Sequence, residues 1–147
     1  MRKFKYRFEK ILAYRGHQEK QRQRELATVQ QLEQSQRQKM ADILGKQADT
    51  QREKECHLVG NIIAARLSVF YRYYLMLKQE ELAGREMLQQ IGKEVDKRRQ
   101  ALIEATRKKK IYEKLKERHR ERFERESNLL MQKENDEIGQ KIFVRNA

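Results

Sequence analysis

Proline is absent from the 147-residue sequence, glycine occurs six times, and serine appears only as Ser35, Ser68 and Ser127. Disordered chains are usually rich in these residues, so disorder loses its compositional signature. Without proline, the strongest helix breaker is missing. Cysteine is nearly absent too. Cys56 stands alone, which excludes an internal disulfide and fits a reducing compartment. Long apolar runs are also missing. The longest, Ile62-Ile63-Ala64-Ala65 and Tyr73-Tyr74-Leu75-Met76-Leu77, fall far short of the roughly 20 residues that span a bilayer. The basic start Met1-Arg2-Lys3-Phe4-Lys5 is followed by no apolar stretch of the kind a signal peptide carries.

What is present is charge and helix-forming residues. Charged side chains make up 39% of the chain and hydrophobic ones 37%, with a mean hydropathy of −1.09. A compact core needs more apolar surface than that to offset chain entropy. A helix burying one narrow stripe does not. The abundance of Glu, Lys, Arg, Gln, Leu and Ala favours such helices. The formal net charge is +13, which suits an acidic protein surface, nucleic acid or an anionic membrane.

Apolar residues recur at helical spacing. In the first part Phe8, Leu12, Leu26, Val29, Met40 and Ile43 share one register. Arg15, Glu19, Arg22, Glu33 and Gln36 interrupt it, which a heptad seam tolerates at a cost in stability. From Leu88 the seam is cleaner: Leu88, Ile91, Val95, Leu102, Ala105, Tyr112, Phe123 and Leu130 keep alternating steps of three and four. Arg98, Lys109, Lys116, His119 and Glu126 fill its gaps; long basic arms can lie along an apolar seam with their heads in water. Glu81/Arg85, Glu94/Arg98, Glu104/Lys108 and Glu121/Arg125 have the favourable acid-first i,i+4 order.

Gly60-Asn61 is the best reversal point, since Gly suits a helix end and Asn a helix start. Gly45 and Gly84 lack a partner breaker. The expected fold is therefore all-α: one domain over 1–147, a long antiparallel two-helix coiled-coil hairpin. Its helices cover about 8–59 and about 62–140, with a turn at 60–61 and a tail at 141–147. The second arm is longer and is expected to overhang from about His119. Phe4-Lys5-Tyr6-Arg7-Phe8 alternates with period two and reads as an extended lead-in or a first helical turn.

Catalytic and cofactor motifs fail on inspection. Gly45-Lys46 and Gly92-Lys93 lack the upstream glycine of a phosphate loop, where Met40 and Met87 stand instead. Cys56-His57, His17 and His119 do not give four converging metal ligands. No nucleophile, base and orienter are arranged together. No enzyme activity, cofactor or metal is expected. The informative stretch is Leu67 to Leu77, in which Phe70, Tyr71, Tyr73 and Tyr74 point to several sides of a helix. A single seam cannot bury them all, so they form either a docking surface or local packing around the turn. The basic run Arg107-Lys108-Lys109-Lys110 is followed by interleaved acids from Glu113 to Glu126. That pattern reads as a solvated face with ion pairs or a contact for an acidic protein lumen, in preference to a nucleic-acid stripe.

Three stretches carry a family resemblance. Phe4 to Arg15, Arg98 to Glu117, and Gln132 to Arg145 together resemble the flagellar type III export protein of the FliJ type over essentially the whole chain. The resemblance implies a stalk-like antiparallel coiled coil that inserts its paired termini into the hexameric flagellar export ATPase and promotes its assembly and activity. It also implies contact with the cytoplasmic domain of the export-gate membrane protein and with export chaperones. The gate strip would be Phe70, Tyr73 and Leu77, although Glu80 and Gly84 depart from the family's pattern. The ring-inserted end would involve Phe8, Leu12, Arg15, Lys109, Tyr112, Lys116 and Phe123. The implied location is the cytoplasm, at the inner-membrane face of the flagellar base, with at most peripheral membrane association and no nucleic acid. A nucleic-acid-binding coiled coil and the stalk of a virulence-type secretion system are the alternative readings.

Overall fold

In the computed structural model, residues 3–58 and 64–146 are described. Two helices account for nearly all of them, α1 (Glu9–Leu58) and α2 (Ala64–Asn146), packed against each other as a helical hairpin. The expected reversal at Gly60-Asn61 lies outside the described residues.

α2 corrects the expected boundary near residue 140. It continues through Gln140, Lys141, Ile142, Phe143 and Val144, the segment expected to be a tail. The reason is local: Gly139 is an isolated glycine, which costs a helix about 1 kcal/mol without breaking it, and no proline follows. Gly45 and Gly84 likewise sit inside helices.

Contacts divide the hairpin into two units, Arg22–Leu102 and Met1–Gln21 with Ile103–Ala147. In the first, α1 contributes Leu26, Val29, Glu33, Gln36, Met40, Ile43, Gln47 and Thr50 to the interface. These steps of three and four keep one stripe facing the partner helix. α2 answers with Leu77, Glu81, Gly84, Leu88, Ile91 and Val95 in the same rhythm. The order is antiparallel: Glu25 meets Arg98, Met40 meets Gly84, and Gln47 meets Leu77 and Glu81.

The apolar core of this unit is thin. Leu77, 1% exposed, is the only side chain of the chain's described residues that is essentially fully buried; Met40, Ile91 and Val95 join it. Gln36, Gln47, Thr50 and Glu81 are buried beside them. Thr50 Oγ1 satisfies itself by donating to its own helix at Lys46 O, 2.7 Å, a common resort of a hydroxyl inside a helix. At Gly84 the helices come close enough that an added Cβ would collide with Met40 Sδ.

In the second unit the chain start lies along α2. Residues 3–6 have no regular structure, and α1 opens with Glu9 N–H donating to Tyr6 O, 3.3 Å, and Leu12 N–H to Phe8 O, 2.9 Å. Glu9 stands in the first turn, where a carboxylate suits the positive end of the helix dipole. The alternation of Phe4, Tyr6 and Phe8 now has its cause. An extended segment puts every second side chain on one face, and here that face meets a helix instead of a strand. The rings reach Phe123, His119 and Tyr112 in turn, at centroid distances of 5.6, 5.8 and 6.3 Å.

This lead-in extends pairing past His119, where an overhang was expected. The interface ends near Phe123 and Ser127; every described side chain from Asn128 to Arg145 is exposed. Leu130 and Glu126, read as seam positions, are exposed with the rest.

Candidate docking surfaces

The start of α2 carries the largest apolar display outside the seam of the Arg22–Leu102 unit. Val69, Tyr71, Leu75, Met76 and Leu82 are exposed, and Tyr73 is 39% exposed. Phe70 is half-buried, its ring 5.7 Å from that of His57. Beside it an open groove of 610 Å³ is lined by Thr50 and Lys54 of α1 and by Leu67, Phe70, Tyr71 and Tyr74 of α2. Lys78 Nζ stands 5.7 Å from the Tyr74 ring centroid, a cation–π distance. The structure thus separates the three proposed gate residues. Tyr73 and Phe70 present surface to solvent and groove, whereas Leu77 lies in the interface with α1.

Next to Leu77 sits a buried polar cluster. Gln47 Nε2 donates to Leu77 O at 3.2 Å and to Glu81 Oε2 at 2.9 Å. Lys78 Nζ donates to the same carboxylate at 3.0 Å, and Arg85 donates to its other oxygen. These donors, led by Gln47, pull the Glu81 carboxyl from an ordinary 4.5 down to about 2, since each favours the charged form. Sequence reading saw Glu81/Arg85 only as a helix-surface pair. It missed the burial because Glu81 falls on the α2 stripe upstream of Leu88, where the apolar rhythm is already lost.

The residues expected to touch an ATPase ring are all half-buried in the Met1–Gln21/Ile103–Ala147 unit. All but Arg15 line the contact between its two stretches of chain. Lys116 pairs with Glu9 at 2.7 Å and Lys109 with Glu19 at 2.9 Å. Thr106 Oγ1 also donates to Glu19, 2.9 Å, and the Lys109 ammonium together with that hydroxyl lowers the Glu19 carboxyl below its usual value. Phe8 meets Tyr112, and Phe123 meets Phe4. Leu12 lies in the same interface, while Arg15 donates to Gln18 Oε1, 3.0 Å, on its own helix.

Tyr6 is the residue whose role was missed. It is 8% exposed, donates its hydroxyl to Tyr112 O at 3.0 Å, and lies 5.9 Å from Lys116 Nζ by ring centroid. Burial raises its phenol above the ordinary value.

Among the described residues no three His, Cys, Asp or Glu side chains converge as a metal site, and no helix is long and apolar enough to cross a membrane. What remains is a surface chemistry of exposed rings, aliphatic side chains and cations on paired helices. A family model described as the flagellar FliJ protein matches residues 4–147. The chain belongs to the FliJ family. No curated protein and no solved structure matches it. FliJ membership gives it a role in flagellar protein export, and its two helices give that role a coiled-coil-like framework.

Proposed function

We propose that the chain is a non-enzymatic stalk of the flagellar export ATPase. The paired end built from the chain start and residues 103–123 would enter the ATPase hexamer, while the beginning of α2 would engage the export gate and export chaperones. The observation that carries this reading is a division of labour within the FliJ framework. Phe8, Lys109, Tyr112, Lys116 and Phe123 are spent on holding two stretches of chain side by side. The aromatic and aliphatic side chains at 67–82 are left outside the seam. A stalk needs such an internally satisfied end, because only its outer charges should meet the ring.

Within the gate strip, Tyr73 and Phe70 are the contact residues of this reading and Leu77 supports them from beneath. Flagellar export is preferred to a virulence-type secretion system because the matching family is the flagellar one. The test is to add the purified chain to a flagellar export ATPase and follow hexamer formation and ATP turnover. Both should rise; no change in either at saturation would reject the stalk. For the gate, Tyr73→Ala should weaken calorimetric binding to the gate protein's cytoplasmic domain by about 2 kcal/mol, the hot-spot scale. Unaltered affinity would remove that site.

A further inference from the structure

α2 runs on past Ser127 to Asn146, a stretch whose described side chains are all exposed and which neither the stalk nor the gate reading uses. Its apolar residues gather at two ends. Leu129-Leu130-Met131 and Ile142-Phe143-Val144 are each 40% exposed or more, and Ile138 is the only apolar side chain between them. Packing is what normally stabilises a helix in water, and this end of α2 leaves its apolar side chains unpacked.

The exposed stripe is not a remnant of the hairpin seam. The hairpin interface on α2 follows Tyr112, Lys116, His119 and Phe123. The same rhythm continued would present Lys133, Glu137 and Gln140. The overhang instead keeps steps of three and four through Asn128, Met131, Asn135, Ile138, Ile142 and Arg145. That register lies one residue further along, about 100° around the helix, so it suits a different partner.

Charge narrows the choice of partner. Lys133, Lys141 and Arg145 are balanced by Glu134, Asp136 and Glu137, so residues 128–147 are formally neutral and the rest of the chain carries the whole +13. A neutral segment has no electrostatic pull towards an anionic membrane or nucleic acid. It can meet a second copy of itself without repulsion. The segment is also complementary to its own reverse. Placing residue 135 opposite 138 of an antiparallel copy sets 131 opposite 142, 130 opposite 143 and 129 opposite 144. Each apolar triplet then meets the other triplet, Asn128 lies opposite Arg145, and Glu134 flanks the seam beside Lys141 of the second copy. Among the described residues the last ion pair along α2 is Arg125 with Glu121, so Glu134 and Lys141 are uncommitted within the chain. A parallel copy in register would bring Glu134 to Gly139 and Lys141 to Asn146, with no charge pair across the seam. It would also set two basic 103–127 segments side by side, each with ten Lys or Arg against six Glu.

We propose that residues 128–145 of α2 form a self-association site, pairing antiparallel with the same segment of a second copy of this chain. The interface is isologous, the same patch on both copies. Asn135 in its middle lowers affinity, as polar seam residues do, so the pairing is reversible. It is confined to the overhang, and the melting of the hairpin does not depend on it. The proposal rests on this segment alone and stands or falls apart from the stalk reading.

Sedimentation equilibrium of the full-length chain tests it, with reductant present because Cys56 is free and exposed. The mass should rise from one chain of 17.9 kDa towards two as the concentration climbs through the micromolar range. Met131→Gln with Ile142→Gln removes the seam side chains from both copies and should weaken association by about a hundredfold or more. Glu134→Lys and Lys141→Glu should each weaken it severalfold at low salt, and the two together in one chain should restore it. All these positions are exposed, so circular dichroism should show every variant keeping its helices. A single-chain mass at all concentrations would overturn the proposal, as would association that survives the Met131/Ile142 variant. Failure of the double charge exchange to restore pairing would overturn the antiparallel arrangement. The proposal also fails if the chain stays monomeric while the Met131/Ile142 variant loses binding to the export ATPase, which would assign the stripe to that partner instead.

Discussion

Leu77 and Tyr73 lie four residues apart on one helix, yet one is buried in the hairpin and the other faces solvent. Their variants should therefore report different things. Leu77→Ala removes the best-buried side chain and should lower unfolding stability by about 3 kcal/mol, within the range for large-to-small core changes. Thermal or urea denaturation reads it directly. Tyr73→Ala should leave stability within about 0.5 kcal/mol. Should the two lose equal stability, the burial described for Leu77 is wrong. Gly84 poses a contest of terms. Alanine gains about 1 kcal/mol of helix propensity over glycine, but its Cβ must displace the flexible Met40 side chain. Gly84→Ala should be near neutral. Gly84→Leu, too large for that gap, should destabilise by about 2 kcal/mol, and a stabilised leucine variant would contradict the close approach. Tyr6→Phe should cost about 1 kcal/mol for the lost hydrogen bond.

At the scale of elements, the polar cluster around Glu81 links helix pairing to pH. The folded-state carboxyl titrates near 2, below its ordinary 4.5. Stability from this group is therefore fully present above about pH 4.5 and is lost as pH falls toward 2. Glu19, also lowered, acts in the same sense in the other unit. Acid titration followed by circular dichroism should show helix pairing weakening over that window, and Glu81→Gln should flatten the dependence. An unchanged acid profile would separate the carboxylate from pairing. The helices themselves were legible in the sequence, because absent prolines and abundant helix formers act locally. The seam was legible from Leu88 to Phe123, where apolar residues repeat. It was illegible at Gln47, Thr50 and Glu81, since the burial of Gln47 and Glu81 depends on their bonding to each other across the helices and that of Thr50 on its bond to Lys46 O of its own helix. The lead-in was half legible. The alternation of Phe4, Tyr6 and Phe8 was plain, but its partner was a helix face that no local pattern announces. For the candidate site, the aromatic stretch at 67–77 was visible as too many rings for one stripe. Which of them face outward depended on the interface register.

At the scale of the whole molecule, the account is a FliJ-family chain whose two helices run antiparallel. Helix pairing is fixed less by a large core than by specific cross-helix partners: Arg98 with Glu25, Lys109 with Glu19, and Lys116 with Glu9. These side chains are mostly half-buried, and pairs still open to solvent add little stability, about 1 kcal/mol or less each. Their value is in register, since a slip of one residue breaks each of them. The end of α2 beyond Ser127 contributes no described interface residue. Deleting residues 128–147 should thus leave the melting temperature of the remainder nearly unchanged, and a large drop would reveal packing of that segment.

The most direct test of the folded-back chain is zero-length carbodiimide coupling of the unmodified protein, read by mass spectrometry. Lys116 Nζ stands 2.7 Å from the Glu9 carboxylate and Lys109 Nζ 2.9 Å from that of Glu19, so amide links should form between both pairs within single chains, at a yield independent of protein concentration. Links that appear only in dimers, or their absence from a fully helical sample, would contradict the pairing on which the account depends.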